Sequence, residues 1–262
     1  MKKILLLAMT CFTLSNVNAQ SEYKNWIKSE QRQSTYSTKE IKKAAKEYTE
    51  LIYDEAKRDK VMEKRKDFLD KKLKKRENFL LDEYARRVQD YRMQRYKVAD
   101  NLPSLETQVK ADVRAEYAYE PDLFPTNIPG EAKSLSKTYE LATSKAYDMA
   151  RENLANEIVH EIMLQFIHKD FVKRFGAVKG QEMVQAILDS KGGILDRLGD
   201  YQKALELYNS KKTVSSEVIV KVYYSGIQAK EDFKMALKEV LKNDETLYNE
   251  MTYFLDTAKG KK

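Results

Sequence analysis

The chain has 262 residues with Lys+Arg 48 against Asp+Glu 41, a formal charge of +7, and charged residues make up 34% of it. That length allows one or two domains with a sizeable core, while the high charge means that much of the chain is solvated helix surface. The single Cys excludes any intramolecular disulfide framework, and the basic balance favours an anionic surface as partner without saying which.

Residues 1–19 read as a signal peptide. Lys2 and Lys3 are its basic start, Ile4 to Leu14 is an apolar stretch too short to span a bilayer, and Val17-Asn18-Ala19 places small residues at a cleavage site. Cleavage after Ala19 starts the mature chain at Gln20 and removes Cys11. Ala8-Met9-Thr10 before that Cys fits a lipid-attachment signal poorly. Loss of Lys2 and Lys3 leaves 46 basic and 41 acidic residues, a net of +5. The expected location is the periplasm or cell envelope, with no transmembrane span in the mature chain. Export argues against a nucleic-acid partner despite the basic charge.

Residues 20–101 form a long basic helical region. Tyr23, Trp26 and Ile27 make a small apolar group, and Ser37 with Glu40 has the spacing of a capping box. No Pro or Gly interrupts 38–99, a run of roughly 93 Å if it were one straight helix, with a hairpin as the alternative. Ile41, Ala45, Tyr48, Ile52, Met62, Leu69, Leu73, Leu80, Tyr84, Val88 and Tyr91 form a narrow stripe. Glu55, Asp59, Lys66 and Arg76 break it, so it is a poor coiled-coil seam. From Lys57 to Lys97 there are 16 Lys/Arg against 8 Asp/Glu. That composition suits a solvated helix, a helical hairpin or oligomeric coil, or a basic face for anionic headgroups.

Residues 102–130 hold a short helix and a Pro-rich linker. Ser104 can cap a helix through about Tyr117. The alternation of Val109, Ala111, Val113, Ala115, Tyr117 and Tyr119 also permits a strand, but the cap and the Glu/Lys/Ala content favour helix. Pro121, Pro125 and Pro129 mark an extended linker, and 126–133 could be a short strand.

Residues 131–257 read as an α+β domain. Its organising element is a helix over Glu131 to Phe175, stopped at Gly176, with Ser134 and Ser136 as N-cap candidates. Ala142, Ala146 and Ala150 line its first half, so a neighbour can approach closely, and the apolar sector widens from Ile158 onward. Gln181 to Ser190 reads as helix, with a break at Gly192-Gly193. Residues 202–208 are either strand or helix. Val218, Val220, Val222 and Tyr224 define the clearest strand, with Glu217, Lys221 and Tyr223 on its other side. A helix follows from Gln228 to Asp256, then a disordered tail over 258–262. The expected class is α+β, predominantly α: a long N-terminal helical region, then a small domain with a short antiparallel sheet packed on long helices.

Few residues suggest chemistry. Glu157 and His160 have the spacing of one half of a di-iron motif, but the only other His is His168, and such sites need two such pairs plus two more Glu. A surface Glu-His pair is the better reading. Position 164 is Leu, so His160-Glu161 is not a zincin motif, and Gly192-Gly193 lacks the residues of a phosphate loop. No catalytic, metal or cofactor residues are assigned, and the expectation is a non-enzyme.

Gly130-Glu131-Ala132-Lys133-Ser134 with Ala142, Ala146, Ala150-Arg151, Leu154-Ala155 and Ile158 forms one block, and Val218 to Tyr224 followed by a helix from Gln228 forms another. Over roughly 104–256 these blocks resemble uncharacterised exported bacterial proteins with the fold of the twenty-kilodalton membrane-associated envelope lipoprotein family. The resemblance implies an α+β domain and an envelope location, and it supplies no catalytic residues. This chain departs from the family in its extra N-terminal helical region and in lacking a lipid-attachment signal. Three functions are in view: an envelope structural or interaction protein with a protein partner or self-association, a holdase-type chaperone with a basic helical arm, and an enzyme acting on cell-wall glycan.

Overall fold

The computed structural model describes residues 55–212 and 215–257. The signal peptide, the Tyr23/Trp26/Ile27 group, the Ser37/Glu40 capping box, the first part of the 38–99 run, and the tail lie outside the described residues. The chain is predominantly helical, with one three-stranded antiparallel sheet packed against helices. The described residues divide into two compact units: Arg65–Glu161 with Ser190–Glu239, and 55–64 with Ile162–Asp189 and 240–257.

The first unit is built around the sheet, in the order β1-β3-β2, with β1 at Asn127–Ser136, β2 at Gln202–Lys212 and β3 at Ser215–Ser225. β3 is central, and its residues 217–224 are buried on both faces. Register places Gly130 opposite Val222 and Ser134 opposite Val218, and on the other side Leu207 opposite Ile219. Side chains alternate between faces, so Val218, Val220, Val222 and Tyr224 share one face with Ile128, Gly130, Ala132 and Ser134. The opposite face carries Glu217, Ile219, Lys221 and Tyr223 together with Leu205 and Leu207. Pro129 sits in β1, an edge strand, where its missing N–H costs no ladder bond.

Helices α1 (Glu55–Asp70), α2 (Leu73–Met93) and α3 (Leu105–Glu116) precede the sheet. The described part of the Gly- and Pro-free run is therefore two helices, broken at Lys71-Lys72, and not one rod. Phe68 and Phe79 meet edge to face at 5.7 Å, and both rings contact Tyr117. Eleven residues along a continuous helix would separate them by roughly 16 Å, so this contact requires the break. Lys72 is extended, with φ −57 and ψ 144. Of the predicted stripe, Met62 and Val88 are buried, whereas Leu73 is exposed. The α3 segment is helical as expected, with the Ser104 oxygen accepting from the Thr107 N–H at 3.3 Å. α2 and α3 cover the Ile219 face through Val88, Val109 and Val113 against Leu205 and Leu207.

Helix α4 (Tyr139–His168) covers the other face with its first part. The expected helix start at Glu131 is corrected: 131–136 is strand, hydrogen-bonded to β3 as far as Ser136 opposite Ser216. Neither Ser134 nor Ser136 is therefore a helix cap. Ser134 donates to the Ala142 carbonyl instead. Ala142, Ala146 and Ala150 are fully buried, and this small-residue stripe brings the helix onto Gly130. Arg65 anchors the end of α1 to α4 by a bidentate pair with Glu161 at 2.7 and 2.8 Å.

The helix expected over Gln181 to Ser190 ends at Asp189, but Gly192-Gly193 is not what ends it: both lie inside the next helix, α7 (Lys191–Arg197). A Cβ at Gly193 would stand 2.9 Å from the Ala236 Cβ, so this glycine sets a close approach to α8 (Gly226–Val240).

In the second unit, α4 ends at His168 rather than Phe175. Asp170 takes φ +55, and a short α5 (Phe171–Phe175) follows, stopped by Gly176 at φ +79. Then come α6 (Ala177–Asp189) and α9 (Glu245–Asp256). Phe166, Phe171, Phe175 and Phe254 pack as an aromatic cluster with centroids 5.1–6.1 Å apart. The segment expected as one helix from Gln228 to Asp256 is two, because the Asp244 carboxylate accepts from the Leu247 N–H at 3.0 Å and starts α9 anew. Asp244→Ala removes that cap and is expected to lower stability by about 1 kcal/mol, read by urea unfolding. An unchanged midpoint would mean the cap does not start the helix.

Candidate functional site

The Lys221 face of β3 buries the main concentration of ionised groups among the described residues. A Lys flanked by Val220 and Val222 on a central strand enters the core because both faces of the sheet are covered. Lys221 is 5% exposed, Asp112 0% and Tyr223 2%. Asp112 comes from α3, where Val109, Asp112, Val113 and Glu116 share one side of the helix. Arg87 comes from α2.

The groups saturate one another. Arg87 reaches Asp112 at 2.7 Å and Glu116 at 2.7 and 2.9 Å, and its Nε donates to Glu83 at 3.1 Å. Lys221 lies 2.8 Å from Asp112 and also pairs with Glu116. The Tyr223 hydroxyl donates to an Asp112 carboxylate oxygen at 2.8 Å. Two cations thus face the buried Asp112 and the half-buried Glu116, with Glu83 at the rim shared between Arg87 and Arg86.

The proton affinities follow from these contacts. Burial alone would raise the Glu116 carboxyl, but the hydrogen bond from Arg87 and the charge of Lys221 outweigh it and hold it down at about 2. Burial works to discharge Lys221, yet the charges of Asp112 and Glu116 raise its pKa above the ordinary ammonium value. Burial, then the charge of Asp112, pushes the Tyr223 phenol well up. A general acid or base needs a pKa near the operating pH, and a lysine nucleophile needs a depressed one. Glu116, Lys221 and Tyr223 are displaced the other way. What this arrangement does is tie α2 and α3 to β3.

Two smaller clusters extend the pattern. Glu217 accepts from the Tyr96 hydroxyl at 2.5 Å and lies 2.9 Å from the Lys133 ammonium. On the opposite face Glu206 accepts from the hydroxyls of Tyr139 and Tyr147, the latter at 2.6 Å. Burial first, and then Glu206, pushes the Tyr139 phenol up to about 12. The outer edge of β2 is covered there: Gln108 accepts from the Glu206 N–H at 2.7 Å, and Lys97 and Tyr208 exchange backbone hydrogen bonds.

Beside the ion cluster, α2 and α3 leave a shallow groove of about 100 Å³. Leu80, Leu81, Tyr84 and Val113 line it, with Glu77, Lys110 and Arg114 at its rim.

Glu157 and His160 both lie on α4, the former exposed and the latter half-buried. Among the described residues no three His, Cys, Asp or Glu gather in a way that could hold a metal ion, and no helix is long and apolar enough to cross a membrane. Sequence reasoning passed over the ion cluster. The available signal was the Lys at 221 between valines, with Asp112 and Glu116 on the apolar side of α3.

No protein-family model, curated protein or solved structure matches this chain.

Proposed function

We propose that this chain is an exported structural or interaction protein of the cell envelope that performs no catalysis of its own. The observation that carries this reading is the saturated ion cluster. Its charges are spent on one another, and Glu116, Lys221 and Tyr223 hold their protonation states far from neutrality. The amino-terminal sequence supports export, and the groove between α2 and α3 offers an apolar surface with a charged rim to a protein partner.

Photo-crosslinking from position 81 in cells that make the protein tests this. A discrete crosslinked species from an envelope fraction is expected. Turnover of isolated cell wall or phospholipid by the purified mature chain overturns the proposal.

A holdase role is the second reading, favoured by the exposure of Leu73, Phe79, Leu81 and Met93 along the strongly charged α2. Suppression of aggregation of an unfolded outer-membrane protein at stoichiometric ratio would shift the assignment to it.

A further inference from the structure

We infer that Arg174, at the end of α5 in the second unit, anchors a docking patch for the phosphodiester headgroups of an anionic phospholipid surface. The Arg174 guanidinium lies over three rings, 5.5 Å from the Phe175 centroid, 5.4 Å from Phe254 and 6.0 Å from Tyr253. Its side chain makes no ion pair and no hydrogen bond with any described residue. A guanidinium held among aromatic rings, with no side-chain partner among the described residues, loses little freedom when it binds an oxyanion, which it can grip with two parallel N–H bonds.

The surroundings favour a membrane over a free anion. Lys173 precedes it as a second exposed cation. The other nearby cations are engaged: Lys169 donates to the Phe254 and Leu255 carbonyls at 3.1 and 2.7 Å, and Lys179 pairs with Glu250, one helical turn before Tyr253. Next to Lys179 in sequence, Val178 is 72% exposed, and Tyr253 is 63% exposed. A tyrosine ring left in water beside Arg174, with an exposed aliphatic side chain in the same unit, matches the chemistry of the headgroup boundary, where an amphipathic ring meets acyl chain and phosphate together. A soluble phosphate would use Arg174 and Lys173 and leave Tyr253 and Val178 without a role.

The test is vesicle co-sedimentation of the whole mature chain at 0.15 M salt. Vesicles of phosphatidylcholine alone are compared with vesicles containing about one-third phosphatidylglycerol, a content at which a surface potential attracts cations. Binding to the anionic vesicles is expected to be at least tenfold tighter. Arg174→Gln should lose at least fivefold and Arg174→Lys an intermediate amount, because it keeps the charge and loses the fork. Tyr253→Ala should lose at least threefold with no change of charge. Lys137→Gln, the same charge change at an exposed position between β1 and α4, should lose less than twofold. Equal losses from Arg174→Gln and Lys137→Gln would mean that only bulk charge acts, and would overturn the inference. So would release from the vesicles by millimolar inorganic phosphate at constant ionic strength, which would make the site one for the free anion.

Discussion

Lys221→Met is expected to lower the stability of the chain by about 3–5 kcal/mol, read by urea unfolding at pH 7. The side chain has room for Met, so the loss is electrostatic. Asp112 remains fully buried and Glu116 half-buried, with Arg87 as the one cation left between them. The desolvation cost of a buried carboxylate is several kcal/mol unless it is paired. The same cluster sets an acid limit. The Glu116 carboxyl falls from its ordinary value of 4.5 to about 2 in the folded chain. A depressed carboxylate contributes stability that is fully present above the unfolded value and is lost as pH falls through the folded one. Between pH 4.5 and pH 2 the wild type therefore gives up about 3 kcal/mol from this group. Glu116→Gln is less stable than wild type at pH 7, and its stability falls less steeply across that window. A variant that unfolds along the wild-type acid curve would show that Glu116 does not carry the effect.

Gly130→Ala costs about 3 kcal/mol or more. A Cβ there would lie 2.4 Å from the Ala150 carbonyl oxygen and 2.7 Å from the Leu154 Cβ. Neither neighbour can turn away, since one is backbone and the other a Cβ bonded directly to it, so α4 must lift from β1. That movement would open the packing of Ala142, Ala146 and Ala150, all fully buried. Gly192→Ala is the matched control. It lies in α7 with nothing within 4 Å of the added atom, and it is expected to raise stability by up to about 1 kcal/mol through helix propensity. Thermal unfolding of the two variants reads both signs. A harmless Gly130→Ala would mean that the helix does not sit on this strand.

The alternation of valines made β3 legible from sequence, and the Ala repeat made legible that something approaches the first half of α4. That the neighbour is Gly130 on β1 was not legible, because the strand and the helix were both read over 131–133. Pairing with β3 decides it, and pairing is a long-range fact. Three further helix breaks were not legible, for local reasons. Lys71-Lys72 contains no breaker, and the break there serves the Phe68–Phe79 contact. Gly192-Gly193 contains two breakers and is helical, because Gly193 fits against Ala236. Leu241 to Asp244 reads as helix by composition, and the Asp244 cap divides it. The ion cluster was the hardest to see. Lys221 and Glu116 stand 105 residues apart, and each alone resembles an ordinary surface charge.

The central claim is that the buried charges hold the fold and do not transfer protons. The most direct measurement is an NMR titration of the folded chain from pH 8 downward, following the Glu116 carboxyl carbon and the Lys221 ammonium. Glu116 is expected to stay ionised until the pH approaches 2 and Lys221 to keep its charge throughout. A Glu116 that takes up a proton above pH 5, or a Lys221 neutral at pH 8, would place a poised acid or base in the core and contradict it.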